Sequence, residues 1–405
     1  MAGVALLLAV TAGTVGAGHR VGSRSARGPG GAGASGARLR PVDGGAGYYG
    51  RFSSSLPSVP SFFPVAVWQE RVGSGADTHS DVDAGLNTYL APTEDSDLAL
   101  IAAAGMYSIS SAPRQDGPAT AGWFLADEAD MWGGPGDDGW TGNYPGQGDI
   151  CTPASAKCGY SIMRAARMRF PDDGRLRYAN YGKGVAFWET AEQGARFVNE
   201  FSDVVSADTY WLTDAGVCGA SQGGSYFGVR ALSTRECRLP ANYGRTVDYL
   251  RAFVKPAGSK PVWSFVEVGH PGDGDPLTAQ PAQVAAAVWS SIIHGARGIV
   301  YFNHSFGGRC PSPHVLREPC YAATRAAVKR VDEQVKALAP VLNAPFADGV
   351  AAAGAGVDLS TKYHDGHFYL LAAANTGDAR TVAFALPCVG DATITVLNEN
   401  RTVAL

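Results

Sequence analysis

The sequence predicts an α/β fold, a (β/α)8 TIM barrel followed by a small antiparallel β-domain. Three observations carry that expectation. Eight short, nearly continuous apolar runs recur between residues 62 and 304. Between the later runs, apolar residues return every three or four positions. After Ala344 the pattern turns to period two, broken by turn residues. Continuous apolar runs suit parallel strands buried on both faces, and intervening helical periods suit βαβ crossovers.

The elements follow in chain order. Val4 to Val10 is an apolar run too short to span a bilayer, and Val15-Gly16-Ala17 after it fits a small-residue cleavage site. Residues 1–17 are therefore expected to be a signal peptide, although Met1-Ala2-Gly3 carries no Lys or Arg. Secretion follows, with no stable membrane insertion once the signal is cleaved. Residues 18–60 are rich in Gly, Ser, Arg and Pro and read as a linker with little fixed structure.

The barrel is expected over 61–344. Its strand candidates are FFPVAVW (62–68), AGLNTYL (84–90), AGMYSIS (104–110), GWFLAD (122–127), LRYANYG (176–182), VVSADTYW (204–211), PVWSFVEV (261–268) and GIVYFNH (298–304). Helical stripes are Val247, Leu250 and Val254, then Val284, Val288 and Ile292, then Val328, Val331, Val335 and Leu338. The connections after strands four and six are long, as loops on the catalytic face of a barrel are. The β-domain is expected over 345–405, with hairpin turns at Asp365-Gly366 and Thr376-Gly377-Asp378. It ends on a strand-like run, so one further strand is expected beyond it.

The formal net charge is −4, with no basic excess, which gives a nucleic-acid partner no electrostatic support. Six of the seven cysteines form three sequence-local pairs: Cys151 with Cys158, Cys218 with Cys237, and Cys310 with Cys320. Local pairs inside loops suit disulfides in an oxidising compartment. Zinc is the weaker reading, because no CxxC occurs.

Chemistry on such a barrel sits at the C-terminal ends of the strands. Polar and aromatic residues near those ends are Trp68, Asn87, Asp127, Asn180, Tyr210, Trp211, His270 and Asn303. All are candidate substrate contacts. The loop after strand four adds Trp132, with Trp140 and Tyr144 beyond it, whose faces suit stacking on sugar rings. Asp130 in that loop reads as cap chemistry. Glu128 and Glu267 dominate, each following an apolar strand on roughly opposite sides of the mouth. Two carboxyls across a pocket suit glycosidic hydrolysis: one protonates the leaving oxygen, the other attacks the anomeric carbon or activates water. HExxH, the phosphate-loop pattern and GxSxG are all missing. No metal site and no cofactor is expected.

The run from GLNTYL through GMYSI to GWFLADE, then PVWSFVEVG and GARGIVYFNHSF, resembles the clan A glycoside hydrolases, in particular actinobacterial members. The resemblance spans roughly 60–345 and implies Glu128 as acid/base and Glu267 as nucleophile, in a retaining mechanism. It also implies that Tyr210 orients the nucleophile. Two positions depart from the clan: Asp127 stands where Asn usually precedes the acid, and Asn303 and His304 stand where strand eight often carries Trp. The expected partner is a carbohydrate, whether polysaccharide, oligosaccharide or glycoconjugate. The rival reading is a non-catalytic carbohydrate-binding protein on the same scaffold; a metal-dependent barrel hydrolase is a more distant third.

Overall fold

A computed structural model describes residues 5–12, 37–132, 158–378 and most of 381–404. Eight parallel strands form one sheet: Val65–Trp68, Thr88–Leu90, Tyr107–Ser110, Thr120–Asp127, Leu176–Tyr181, Val204–Ala207, Ser264–Glu267 and Ile299–Phe302. These are strands one to eight of the barrel. Seven lie inside the expected runs, and strand four starts two residues early. Their order is six-five-four-three-two-one-eight-seven. A parallel bridge between Val205 and Val262 joins the two ends and closes the barrel.

Alternation divides the side chains. Ala66, Trp68, Leu90, Ile109, Phe124, Tyr178, Phe265 and Val300 pack in one cluster inside the barrel. Val65, Val67, Tyr89, Val205, Val266 and Tyr301 join the layer under the helices. The helices Ala241–Phe253, Pro281–Ile293 and Ala322–Leu342 bury the expected stripes, among them Val247, Leu250, Val284, Val288, Val328, Val331 and Val335. Each such aliphatic side chain contributes roughly 1.5–3 kcal/mol by leaving water.

Residues 37–60 are not a loose linker. Tyr48, Tyr49 and Leu56 are buried with the barrel's inner cluster. The Tyr49 hydroxyl accepts from Trp263 Nε1 at 2.9 Å, and the Tyr48 hydroxyl donates to the Asp203 carbonyl at 2.6 Å. Three irregularly spaced apolar anchors have no period to read, and the surrounding Gly and Ser hide them.

The β-domain is a seven-stranded sheet with all its described pairings antiparallel, built from both ends of the chain. Ala5–Ala12, the apolar part of the expected signal peptide, pairs on one side with His367–Ala374 and on the other with Ala392–Val396. Arg38–Arg40 pairs with Phe346–Asp348 at the edge. The hairpin at Asp365-Gly366 has φ of +46° and +79°, the two-residue turn that Asp-Gly favours. Disulfides join Cys218 to Cys237 and Cys310 to Cys320. Cys151 lies outside the described residues. Among the described residues no helix is long and apolar enough to cross a membrane.

Candidate active site

The barrel mouth begins where the strands break. Gln69, Ala91 and Glu128 each sit one residue beyond a strand, at φ of +46°, +51° and +50°. Their N–H groups still bond the neighbouring strand, to the carbonyls of Leu90, Ile109 and Asn180 at 3.0, 2.8 and 3.0 Å. A left-handed backbone at a non-glycine residue costs about 1–3 kcal/mol and clusters at functional sites. Here it turns the chain sharply, so that the next side chain leaves the ladder. Tyr210, after strand six, has the same backbone with φ +46°.

Strands four, five and six bring an acid cluster together. Asp127 Oδ1 accepts from Asn180 Nδ2 at 2.9 Å, and Asn180 Oδ1 accepts from Ser206 Oγ at 2.6 Å. Tyr210 donates its hydroxyl to Asp208 Oδ2 at 2.7 Å. Asp208 Oδ1 finds no amide or hydroxyl donor among the described residues. The Glu128 and Asp208 side chains are within hydrogen-bonding contact of each other. Two carboxyls in contact cannot both ionise, so the pair keeps a proton.

Burial first, then Asp208, Asp127 and Asp130 in turn, holds the Glu128 carboxyl well above the carboxylate range. Burial raises Asp208 too, against the Tyr210 bond. Asp127 is pushed up to about 8, by desolvation and then by Asp208, while the Asn180 bond opposes. Asp127 keeps an exposed edge, so water screens it more than it screens Asp208. Gly182 makes room for this arrangement: a Cβ there would meet Met131 and stand 3.0 Å from Glu128 Oε1.

Asp130 is fully buried and serves the backbone. It accepts from Gly182 N at 3.0 Å and Val185 N at 2.7 Å, fixing the turn after strand five. Burial pushes it up to about 6 against those two bonds.

Glu267 ends strand seven and is only 2% exposed. Its Oε1 accepts from Leu212 N at 2.6 Å and from the Tyr243 hydroxyl at 2.5 Å, and its Oε2 accepts from Thr213 Oγ1. Burial drives its carboxyl up to about 7, while the three donors favour the ionised form. The expected tyrosine on Glu267 is thus Tyr243, from the helix after strand six; Tyr210 serves Asp208 instead.

The end of strand eight forms the other wall. Phe302, His304 and Phe306 pack edge to face, with Tyr210 against Phe302 at 5.1 Å. Phe306 is 56% exposed, and buried His304 leaves Nε2 without a partner among the described residues. Burial holds that imidazole below its usual range. Asn303 donates to Glu70, which also takes His314 and Arg317, and its own Oδ1 accepts from Leu316 N at 2.8 Å. Asn303 therefore ties a loop. His270 bonds Thr278 through Nδ1 at 2.9 Å.

Three other expected contacts lie elsewhere. Asn87 precedes strand two, at the far end of the barrel, where it bonds the Val65 N–H and the Phe63 carbonyl. Trp68 is barrel core, 4.9 Å from Phe124 and 5.5 Å from Phe265. Trp211 is fully buried and donates to Thr246. Each is aromatic or polar near a strand, but the pleat aims it away from the mouth. Trp140, Tyr144 and the Trp132 side chain lie outside the described residues.

No protein-family profile and no curated protein matches the chain. Solved structures do. A glycoside hydrolase family 5 protein from Bacteroides vulgatus is 12% identical, with 80% of this chain and 93% of that one covered and a TM-score of 0.43. A GH5_18 protein from Streptomyces cattleya, in complex with Manb1-4GlcNAc, is 14% identical over 67% and 80%, with a TM-score of 0.39. An HpcH/HpaI aldolase from Desulfitobacterium hafniense is 11% identical over 60% and 86%, with a TM-score of 0.30. The functional reading rests on the site itself.

The strand ends thus carry a carboxyl pair with raised pKa values, a buried carboxyl held by three donors, and an aromatic wall. Tyr243, Thr213 and Phe306 are not among the site residues that the sequence points to. Asp208 ends strand six and is visible there. Tyr243 lies on a helix and carries no local signal.

Proposed function

We propose that this protein is an exported glycoside hydrolase that cleaves O-glycosidic bonds with retention of configuration. The observation that carries the reading is the Glu128–Asp208 contact beside Tyr210, which favours the protonated form of a carboxyl at the mouth. A glycosidase needs such a proton for the leaving oxygen. In this reading Glu128 is the acid/base. Glu267, ionised on its three donors, attacks the anomeric carbon and displaces the aglycone as Glu128 protonates it. Water, deprotonated by Glu128, then releases the sugar from Glu267. Asp127, held by Asn180, accepts a sugar hydroxyl, and Phe306 offers a stacking face. The two disulfides support export, since such bonds persist in an oxidising compartment.

The test is a panel of aryl glycosides and polysaccharides against the wild type and Glu267→Ala. Turnover is expected in the wild type and is lost in a folded Glu267→Ala protein. Equal turnover in the two removes Glu267 as nucleophile.

One observation favours a second reading. Both Glu267 oxygens are taken by protein donors. If that bond set is purely structural, the barrel binds sugars without cleaving them. The wild type then binds oligosaccharides at the mouth and turns over none of the panel.

A further inference from the structure

Outside the mouth, one buried carboxyl lacks any partner among the described residues. Glu189 follows the π-turn Gly184–Trp188 and precedes Thr190, the N-cap of helix Ala191–Glu200. Its side chain is buried, the residue being 5% exposed, and neither carboxyl oxygen has a hydrogen-bond partner among the described residues. No Lys or Arg pairs with it among the described residues, and the charge it feels is Asp130, of the same sign. Buried polar groups in folded chains are almost always satisfied, and an orphaned carboxyl is strongly unfavourable. Such a group marks a strained position or a missing ligand.

The surroundings favour a ligand. Glu189 lines a cavity of about 720 Å³ between the turn after strand five, the loop after strand six and helix Ala241–Phe253. Pockets of that size hold small organic molecules. Phe187, Trp188, Tyr226 and Tyr249 supply aromatic surface, with Phe187 and Tyr226 rings 5.2 Å apart and Tyr226 and Tyr249 rings 4.9 Å apart. Arg245 lines the same cavity, and so does Asp248.

This set of groups selects by charge. A permanent cation meets the Arg245 guanidinium, and an anion meets Asp248. A neutral polyol satisfies both: its hydroxyls donate to the carboxyl and accept from the guanidinium, while its C–H face covers a tyrosine ring. Burial keeps the Glu189 carboxyl raised well above the usual range, so it pairs with a neutral hydroxyl without the cost of ionising.

We propose that this cavity is a second, non-catalytic carbohydrate site on the flank of the barrel, with Glu189 as its hydrogen-bonding anchor. It stands independently of the chemistry at Glu128 and Glu267.

The experiment measures binding of methyl mannoside, methyl glucoside and N-acetylglucosamine by ligand-observed NMR at millimolar concentration. It compares the full-length wild type with Glu189→Leu, Glu189→Gln and Phe306→Ala, the last altering only the mouth. Loss of two hydrogen bonds weakens sugar binding about tenfold in Glu189→Leu, whereas the isosteric Gln holds it within about threefold. Phe306→Ala leaves the flank site intact. Removing an orphaned carboxyl does not unfold the chain, so Glu189→Leu melts at or above the wild-type temperature and its loss of binding is specific. The proposal is overturned by equal affinity in Glu189→Leu, by loss of all sugar binding in Phe306→Ala, or by no sugar binding in the wild type. Binding of tetramethylammonium in place of the sugars also overturns it.

Discussion

Replacing Asp208 with Asn is the most informative single change at the mouth. The Glu128 carboxyl touches Asp208 and keeps its proton partly because a second negative charge there is unfavourable. Two unit charges about 4 Å apart at an effective dielectric of about 20 repel by roughly 4 kcal/mol, equivalent to about 3 pH units. The proton is shared, so the expected displacement is smaller, about 1–3 pH units. The sign follows from the role. An acid must be protonated to act, so activity falls as pH rises through the folded value of Glu128. Removing the Asp208 charge lowers that value, and the alkaline limb of the kcat/KM profile moves to lower pH by about 1–3 pH units. Asn still accepts from the Tyr210 hydroxyl through its amide oxygen, so the local fold is kept. The assay is kcat/KM against pH on the best aryl glycoside of the panel. A uniform loss of rate with no displacement of the alkaline limb refutes proton sharing, because a purely structural defect scales the whole profile.

Three further outcomes follow from other parts of the molecule. Tyr243→Phe removes one donor from Glu267, whose carboxyl burial has already driven up to about 7; a charge-assisted bond of about 1.5–3 kcal/mol moves the acidic limb up by roughly 1–2 pH units, read in the same kinetic series. Phe306→Ala removes the exposed aromatic face at the mouth and raises KM about fivefold, roughly 1 kcal/mol, with kcat much less affected. His294 sits between Asp248 at 2.6 Å and Asp358 at 3.1 Å; burial depresses its imidazole, but the two carboxylates outweigh it and raise it to about 9. Its folded value lies above the unfolded one, so its stabilisation is full below about pH 6.5 and is lost as pH rises through about 9. Asp248 is half exposed, which discounts the effect to roughly 2 kcal/mol, and urea melts at pH 6 and pH 9.5 show that loss in the wild type but not in His294→Gln.

Much of the barrel was legible because its strands are buried on both faces. Runs such as VAVW in strand one and IVYF in strand eight are apolar throughout, and period arguments find them. The glutamates were legible for the same reason: Glu128 and Glu267 stand where an apolar run stops. Side-chain direction was not. Asn87 is one residue before strand two, and Trp68 is the last residue of strand one; in sequence both look like strand-end residues, but one ties the far end of the barrel and the other fills its interior. The partners of Glu267 were hidden for a different reason. Tyr243 comes from a helix and Thr213 from a loop, and only the closure of strand six against strand seven brings them to the carboxyl. Tyr48 and Tyr49, in a stretch that composition alone reads as linker, find their place only once the barrel exists to receive them.

The central claim is that Glu267 attacks the sugar while Glu128 supplies the proton. A 2-deoxy-2-fluoro glycoside of the sugar that the panel identifies tests it directly, because the fluorine slows hydrolysis of a covalent glycosyl-enzyme. Intact mass and peptide mapping of the inactivated protein are predicted to find one sugar per chain, esterified to Glu267. A label on another carboxylate such as Asp208, or no label from a substrate whose product forms with inverted configuration, would contradict the account.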